Sequence, residues 1–469
     1  MKLKVFNTLS GEKEEFIPRE PPVVKMYACG PTTYNYIHLG NARPLVVFDT
    51  VRRYLEYWGY LVIYVQNFTD VDDKILKRAQ EEEKEPLALA ENYIQEYFRD
   101  AEALNVQKAL LHPRVSENIE EIIVFIQGLL AKGYAYECAG DVFFEVAKFK
   151  EYGKLSGRSL SELRVGARLE VDPRKKEPFD FVLWKKAKAD ELAWDSPWGR
   201  GRPGWHIECS VMSTKYLGPS FDIHAGGLDL IFPHHENEIA QSEAFHGLPM
   251  AKYWLHNGFI TIDQAKMSKS KGNFFLLREI LKEFEPEVVR FYLLSTHYRR
   301  PLDFSQSKLE EAARAWGRLK NTDDLLQEKL AEAEPQKGGE VYLAEISLWE
   351  KRFCEAMNDD FNTALALAVL FEASKTINGW LGELTNHLVL EKAARKYRQL
   401  AEILGLQFVQ REAEKALWGE LVELVIALRQ EARERKDFAV ADYLREKLQS
   451  LGIIVEDTPA GVRWKLDGK

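Results

Sequence analysis

Two short cationic loops, about 230 residues apart, constrain this chain more than any other feature. The first is His38-Leu39-Gly40-Asn41 and the second is Lys266-Met267-Ser268-Lys269-Ser270. Each follows an apolar, β-branched run and precedes residues that can start a helix, which predicts that both lie where strands of one α/β sheet end. Val23 to Cys29 reads as a strand, Gly30-Pro31 as a turn, and Asn41 to Trp58 as a helix. A phosphate at that turn would meet unpaired backbone N–H groups and the positive end of the helix dipole, with His38 as an added donor. The second loop brings Lys266, Lys269 and Lys271 within six residues, beside Gly272 and two serines. Cations on such a stretch can tighten around charge that develops only during reaction. Singly, His38 reads as a loop histidine bonded to backbone and the lysines as a solvated charge run. Together, at one sheet edge, they point to a triphosphate between them.

Along the chain, Leu61 to Phe68 supplies a second strand and completes a βαβ unit whose crossover should be right-handed. The carboxylates of Thr69-Asp70-Val71-Asp72-Asp73-Lys74 read either as facing the site or as caps of the next helix, with capping preferred. From about 113 to 200, a helix ending near Gly133 gives way to short strand-like pieces rich in Pro, Gly and mixed charge around Val171 to Lys188, the pattern of an insertion between two halves of a nucleotide-binding fold. The sheet resumes at Ser220 to His224, and Tyr253 to Ile262 reads as its last strand. Gly226-Gly227-Leu228-Asp229 reads either as an ordinary turn or as a close approach for adenosine, with Asp229 accepting from a ribose hydroxyl.

Beyond about 263 the periodicity is helical. Ser307 to Leu330, Glu345 to Met357, Ala364 to Leu381 and Leu390 to Leu404 carry apolar residues at three- and four-residue intervals, which predicts a bundle. The last sixty or so residues predict a charged helix, Arg433 to Leu451, then a hairpin turning at Thr458-Pro459-Ala460-Gly461. Arg463 is placed to meet unpaired bases, while Trp464 is read as closing a small core.

A separate set of residues has metal-ligand chemistry. Cys29 closes the first strand, Cys209 lies in Gly204-Trp205-His206-Ile207-Glu208-Cys209, and His234 and Glu238 lie in Pro233-His234-His235-Glu236-Asn237-Glu238. If Pro233 opens a helix, His234 and Glu238 fall at i and i+4 on one side. Two thiolates, an imidazole and a carboxylate suit tetrahedral zinc, but no compact finger spacing is present, so spacing alone leaves buried free cysteines as an equal reading.

With these motifs quoted, the chain resembles the class I aminoacyl-tRNA synthetases, whose paired signatures are "HIGH" and "KMSKS", and within them the cysteinyl-tRNA synthetase family. The resemblance runs over essentially the whole chain. KMSKS is its specific element, since four residues such as HLGN recur by chance. It implies a Rossmann-type catalytic domain over 1–112 and 201–262, a connective insertion over 113–200, and a stem-contact region with the KMSKS loop over 263–318. A helical tRNA-binding bundle over 319–408 and a small C-terminal α+β module over 409–469 would follow. Asp359-Asp360-Phe361-Asn362-Thr363 resembles the family's bundle signature. The resemblance further implies one Zn2+ on Cys29, Cys209, His234 and Glu238, Mg2+ with ATP, and tRNA(Cys), ATP and L-cysteine as partners. His38, Asn41, Lys266 and Lys269 would act in catalysis. His38, Gly40, Asn41, Gly226, Gly227, Asp229 and Lys269 would hold ATP. Trp205 is expected to wall the substrate's β-carbon and His206 and His224 to orient its polar groups, although each reads equally as a core residue. One departure from the signature is that its closing His is Asn41, which keeps a hydrogen-bond donor but no charge.

Cysteine and serine differ by one atom of similar size, so an apolar pocket separates them by only about 1–3 kcal/mol. A metal changes the comparison, because a thiol near pKa 8.5 ionises readily on coordination and an alkyl hydroxyl does not. Selection at binding needs no editing domain, and no segment is large enough to be one. A net charge of −9 means that an RNA partner must meet local basic patches. Cys138 and Cys354 read as reduced thiols. Without an apolar leader or spanning run, the expected location is the cytoplasm, and the expected state a monomer. Two alternatives stand beside this reading. One is a ligase that joins cysteine to an amino sugar, and the other is a non-catalytic RNA-binding paralogue.

Overall fold

Four largely buried strands build the sheet that positions everything else. In the computed structural model, β1 (Val23–Ala28), β2 (Leu61–Gln66), β3 (Phe221–Gly227) and β4 (Ala251–Asn257) are all parallel in the order β4-β3-β1-β2. The chain reverses direction of travel across the sheet at β1, so the carboxyl ends of β1 and β3 border the crevice where α/β sheets bind ligands. All residues are described except 1, 160–171, 190, 263–264, 267–274, 336–337, 383–384, 409–410, 436, 451–452, 459–460 and 467–469.

The predicted last strand, Tyr253 to Ile262, is broken. β4 ends at Asn257, and Ile260–Ile262 joins a different sheet, parallel to Leu302–Phe304 and antiparallel to Ala265–Lys266. The buried Arg43 guanidinium causes the break, because it collects the carbonyls of Gly258 (2.9 Å), Phe259 (2.7 Å) and Arg300 (2.6 Å) and turns the chain out of the sheet. Only glycine fits at 258, where a Cβ would lie 2.4 Å from the Arg300 oxygen.

The region from 113 to 200 carries the helix Ile119–Ala131 and an antiparallel sheet of Ala135–Cys138, Asp141–Phe144, Phe181–Lys186 and, just beyond it, Gly201–Pro203. Its apolar residues share one core with the face of the parallel sheet, Val142 and Leu183 joining Tyr27 and Trp254. The helices Gln306–Ala331, Glu340–Asn358, Thr363–Trp380 and His387–Ile403 form the predicted bundle, with Ser305, Asn362 and Asn386 capping three of them. Buried Asp360 joins the bundle to the N-terminal strand and to the segment that precedes the bundle. It accepts from the Phe6 N–H (2.8 Å), the Tyr298 hydroxyl (2.8 Å) and the Arg299 guanidinium (2.6 Å).

Two compact units divide the chain, Met1–Gln407 and Phe408–Lys469. In the second, the predicted helix Arg433 to Leu451 is split into Arg411–Glu434 and Phe438–Ser450, because Asp437 accepts the Val440 N–H (3.3 Å) and starts a new helix. Ile453–Thr458 and Gly461–Leu466 form the expected hairpin. Trp464 packs on Val422, Ile426 and Val455 and donates to Glu423 (2.8 Å), so it closes a small core. The side chain of Arg463 lies outside the described residues.

His112, stacked on Phe68 at 5.2 Å, extends the edge of β2 and is held by burial at a pKa of about 4. The unfolded chain protonates near 6.5 and so gains protons first as pH falls. The stability tied to this neutral ring is therefore complete above pH 6.5 and is lost as pH drops toward 4, by about 1 kcal/mol at pH 5.5 and about 3 kcal/mol in all. Denaturant titrations at pH 7.5 and 5.0 should show a shallower pH slope for His112→Gln than for the parent, and equal slopes would sink this assignment.

Candidate active site

The first signature is a helix cap. The helix Leu39–Tyr57 starts two residues before Asn41, because His38 Nδ1 accepts the Asn41 N–H (3.2 Å) while Asn41 Oδ1 accepts the His38 N–H (3.3 Å). This reciprocal box satisfies two orphan donors at once. It also gives the departure at Asn41 a structural role, since a carboxamide oxygen can take the His38 N–H. Gly40 is required, because a Cβ there would stand 2.9 Å from His38 Cε1. With Nδ1 accepting, a neutral His38 carries its proton on Nε2.

The two signatures meet through backbone. Leu39 N–H donates to Phe275 O (3.0 Å) and Leu277 N–H to Ile37 O (3.1 Å), so the chain returning from the lysine loop is bound to the start of the first loop. Lys266 ends the strand Ala265–Lys266, which pairs with Thr261. Its side chain and all of Lys269 lie outside the described residues.

A cavity of about 620 Å3 opens beside these segments. His38, Gly40 and Asn41 line one part, Gly226, Gly227, Asp229 and Gly258 another, and Cys29, Cys209, His234 and Trp205 a third. Gly226 and Gly227 allow close packing from within the fold: a Cβ at 226 would meet the His235 ring at 2.8 Å and one at 227 would meet Asp229 Oδ1 at 2.5 Å.

The four expected ligands converge. Cys29 Sγ lies 3.7 Å from Cys209 Sγ, 3.6 Å from His234 Nε2 and 3.5 Å from Glu238 Oε1, and His234 Nε2 is 3.0 Å from Glu238 Oε1. Two sulfurs each about 2.3 Å from one ion at the tetrahedral angle stand about 3.8 Å apart, so the spacing suits a single zinc-sized centre. Pro233 does not open an α-helix as expected. Phe232 is extended, Ile231–His235 makes one wide turn, and the helix proper is Glu236–His246. His234 and Glu238 nevertheless face one another across that junction.

Electrostatics favour a cation here. Burial alone would push His234 down, yet the Glu238 carboxylate and the Cys209 thiolate raise it to about 10. Glu238 is held well below the carboxylate range despite its burial, by His224 and His234. A hydrogen bond from Cys29 lowers Cys209, while burial and Cys209 raise Cys29. Anionic donors gathered around a proton-holding imidazole are a set that a divalent ion satisfies by displacing protons.

Other histidines stand behind the ligands. His206 Nδ1 lies 3.0 Å from His234 Nδ1 and, driven well below its usual pKa by burial and then by His234, accepts a hydrogen bond from it. His224 is fully buried, does not line the cavity and donates Nε2–H to Glu238 Oε2 (2.8 Å) while stacking on Trp254 at 4.5 Å. Trp205, 42 % exposed, stacks on His234 at 4.4 Å. Sequence reasoning missed His235 and His256. His235 Nε2 is 3.4 Å from Cys29 Sγ, its Nδ1 is 2.8 Å from His256 Nε2, and His256 Nδ1 is 2.7 Å from Thr8 Oγ1. With His224, His235 also completes a second four-donor set around Cys29 and Glu238. The doubled histidine at 234–235 was the available signal. The carboxylates of the 69–74 segment behave as caps and struts: Asp72 caps Lys74 N–H (2.9 Å) and Asp70 accepts the Ser116 N–H (3.1 Å).

A parallel sheet with a switch-point crevice, a capped HLGN helix and a trailing bundle make up the fold of the class I aminoacyl-tRNA synthetases. The methionyl-tRNA synthetase of Mycobacterium tuberculosis bound by methionyl-adenylate superposes with TM-score 0.60 at 14 % identity, over 81 % of this chain and 89 % of that one. The LeuRS–tRNA–LeuAMS complex from Agrobacterium radiobacter gives 0.60 at 10 %, over 83 % and 86 %. Residues 15–314 match the tRNA synthetases class I (C) catalytic domain, 352–409 the DALR domain, and 420–464 the cysteinyl-tRNA ligase anticodon binding domain. The cysteine--tRNA ligase of Heliobacterium modesticaldum is 57 % identical over 479 residues, covering 99 % of this chain and all of its own, and that of Carboxydothermus hydrogenoformans is 57 % identical over 473 residues with the same coverage. The chain belongs to the cysteine--tRNA ligase family. A matched anticodon domain stands against the amino-sugar ligase alternative.

Proposed function

We propose that this cavity uses ATP to join L-cysteine to tRNA(Cys) in two steps. Cysteine's carboxylate attacks the α-phosphorus of ATP, the bond to the bridging oxygen breaks, and pyrophosphate leaves as cysteinyl-adenylate forms. A hydroxyl of the terminal ribose of tRNA then attacks the carbonyl carbon and AMP leaves. No protein nucleophile takes part, so positioning and charge stabilisation supply the rate. His38 donates Nε2–H to the phosphates, held in place by Asn41 through the cap, and Gly40 leaves room for both. Lys266 and Lys269 take the departing pyrophosphate. Gly226 and Gly227 border the adenosine, and Asp229 accepts from its ribose. Trp205 walls the cysteine side chain. His206 and His224, expected to orient the substrate's polar groups, are not among the residues that line the cavity and are assigned instead to positioning His234 and Glu238.

The ion assigned to Cys29, Cys209, His234 and Glu238 is zinc, which when bound supplies a soft Lewis acid with a strong preference for a thiolate over an alkyl hydroxyl. Mg2+ accompanies the ATP phosphates. Residues 1–112 and 201–262 are assigned to catalysis, 113–200 to the connective insertion, 263–318 to the acceptor stem, and 319–408 with 409–469 to the remainder of the tRNA. No described helix is long and apolar enough to cross a membrane. The chain is assigned to the cytoplasm as a monomer.

The convergence of four mixed S, N and O donors, of which Cys29, Cys209 and His234 line the same cavity as His38, carries this reading. Purified protein should contain one zinc per chain and catalyse cysteine-dependent ATP–pyrophosphate exchange. Serine should support exchange at least 1,000-fold less well, beyond the roughly 10–200-fold that shape supplies. Metal-free protein with full cysteine-dependent exchange would overturn the assignment.

A further inference from the structure

Among the described residues that line the cavity, Lys74 is the only lysine or arginine. It is the second residue of the helix Asp73–Glu81, whose Ile75 and Ala79 are anchored in a core cluster with Leu89, Ala90 and Tyr93. The carboxylates next to it are already engaged. Asp72 caps the Lys74 backbone N–H, while Asp73 pairs with Lys185 (2.9 Å) and Arg202 on the insertion's sheet. Lys74 itself is exposed, and among the described residues it has no carboxylate within 4 Å. Its ammonium sits 5.7 Å from the centroid of Tyr34, another cavity residue. Its root is therefore fixed in the core, while its charge stands at the cavity and, among the described residues, is not matched by an ion pair.

A lysine is a point-charge phosphate binder on a flexible stem. The His38 loop contributes hydrogen-bond donors but no permanent charge, and the described lining includes the carboxylate of Asp229. We infer that Lys74 binds a phosphate group of the reactants in this cavity. The inference rests on the two-step reaction proposed above, which brings phosphate from two sources, the polyphosphate of ATP and the last phosphodiester of the tRNA acceptor strand.

The test compares full-length parent, Lys74→Met and Lys74→Arg in two assays. One is cysteine-dependent ATP–pyrophosphate exchange against ATP concentration, and the other is single-turnover transfer from preformed cysteinyl-adenylate to tRNA(Cys). Parent protein without exchange would fail the reaction assignment itself, separately from Lys74. Given active parent, a rise of about tenfold or more in the KM for ATP in Lys74→Met, restored in part by Lys74→Arg, places the ammonium on ATP. Unchanged exchange with transfer slowed about tenfold or more places it on the acceptor end. The inference is overturned if Lys74→Met stays within twofold of parent in both assays, or if Met and Arg lose equally, since the positive charge would then not be the active property.

Discussion

Replacing Cys209 with serine should strip the protein of its metal and reduce cysteine-dependent exchange by at least about 100-fold, while leaving the fold in place. Loss of a residue that only supports a ligand typically costs 10–100-fold in affinity or activity, so loss of a ligand should exceed that range. Serine is nearly the same size, and Cys209 is 2 % exposed within the helix Ile207–Leu217, so packing changes little. The chemistry changes far more. Cys209 sits 3.7 Å from Cys29, whose hydrogen bond favours the Cys209 thiolate, and that thiolate in turn helps keep His234 protonated. A serine hydroxyl stays neutral at this pH and offers a hard, weak donor. Elemental analysis, exchange kinetics and a denaturant titration on one preparation separate the effects. Zinc near zero with exchange collapsed and stability within about 2 kcal/mol of parent is the expected combination. Full zinc with exchange within fivefold of parent would remove Cys209 from the ligand set. Equal exchange with serine and cysteine in the parent would remove metal-based selection altogether.

Much of this site was legible before any coordinates, for identifiable reasons. β1 and β2 are short, mostly apolar runs with valine, isoleucine and tyrosine between turn residues, so their position and their parallel pairing through a helix followed directly. Cys29 could be placed at a strand end for the same reason, but its meeting with Cys209 and His234, about 180 and 205 residues away in sequence, needed the family resemblance, since spacing alone does not bring distant segments together. The start of the first helix was misplaced because the usual box pairs Ser or Thr with Glu or Gln, and here His38 and Asn41 play those parts. The false continuation of β4 to Ile262 has a similar origin. Its apolar pattern runs on, and only a buried guanidinium from a different element, Arg43, turns the carbonyls of Gly258 and Phe259 away. His235 and His256 escaped notice because a buried histidine in sequence looks the same whether it fills space or supports a ligand. Geometry alone reveals the series from Thr8 through His256 and His235 to Cys29.

The same cap that displaced the helix boundary allows catalysis and structure to be separated at His38. His38→Asn should lower kcat for adenylation by about 100- to 1,000-fold, the range found when a preorganised donor to developing charge is removed, with little change in the KM for ATP. Asparagine is among the best N-cap residues, so an acceptor for the Asn41 N–H is kept and stability should remain within about 0.5 kcal/mol of parent. His38→Ala removes both functions and should lose about 1 kcal/mol in addition to the kinetic defect. The contrast depends on the ring's two nitrogens having different tasks. Nδ1 is committed to the helix, at 3.2 Å from the Asn41 nitrogen, and Nε2 is left to carry the proton in the neutral ring. Gly40→Ala offers an independent check, because the added methyl would lie 2.9 Å from His38 Cε1 and must rotate the ring out of the cap. That variant should therefore show both a loss of stability and a loss of kcat. If His38→Asn were as active as parent, the histidine would be a helix cap alone, and the donor to the phosphates would have to be sought elsewhere along the cavity.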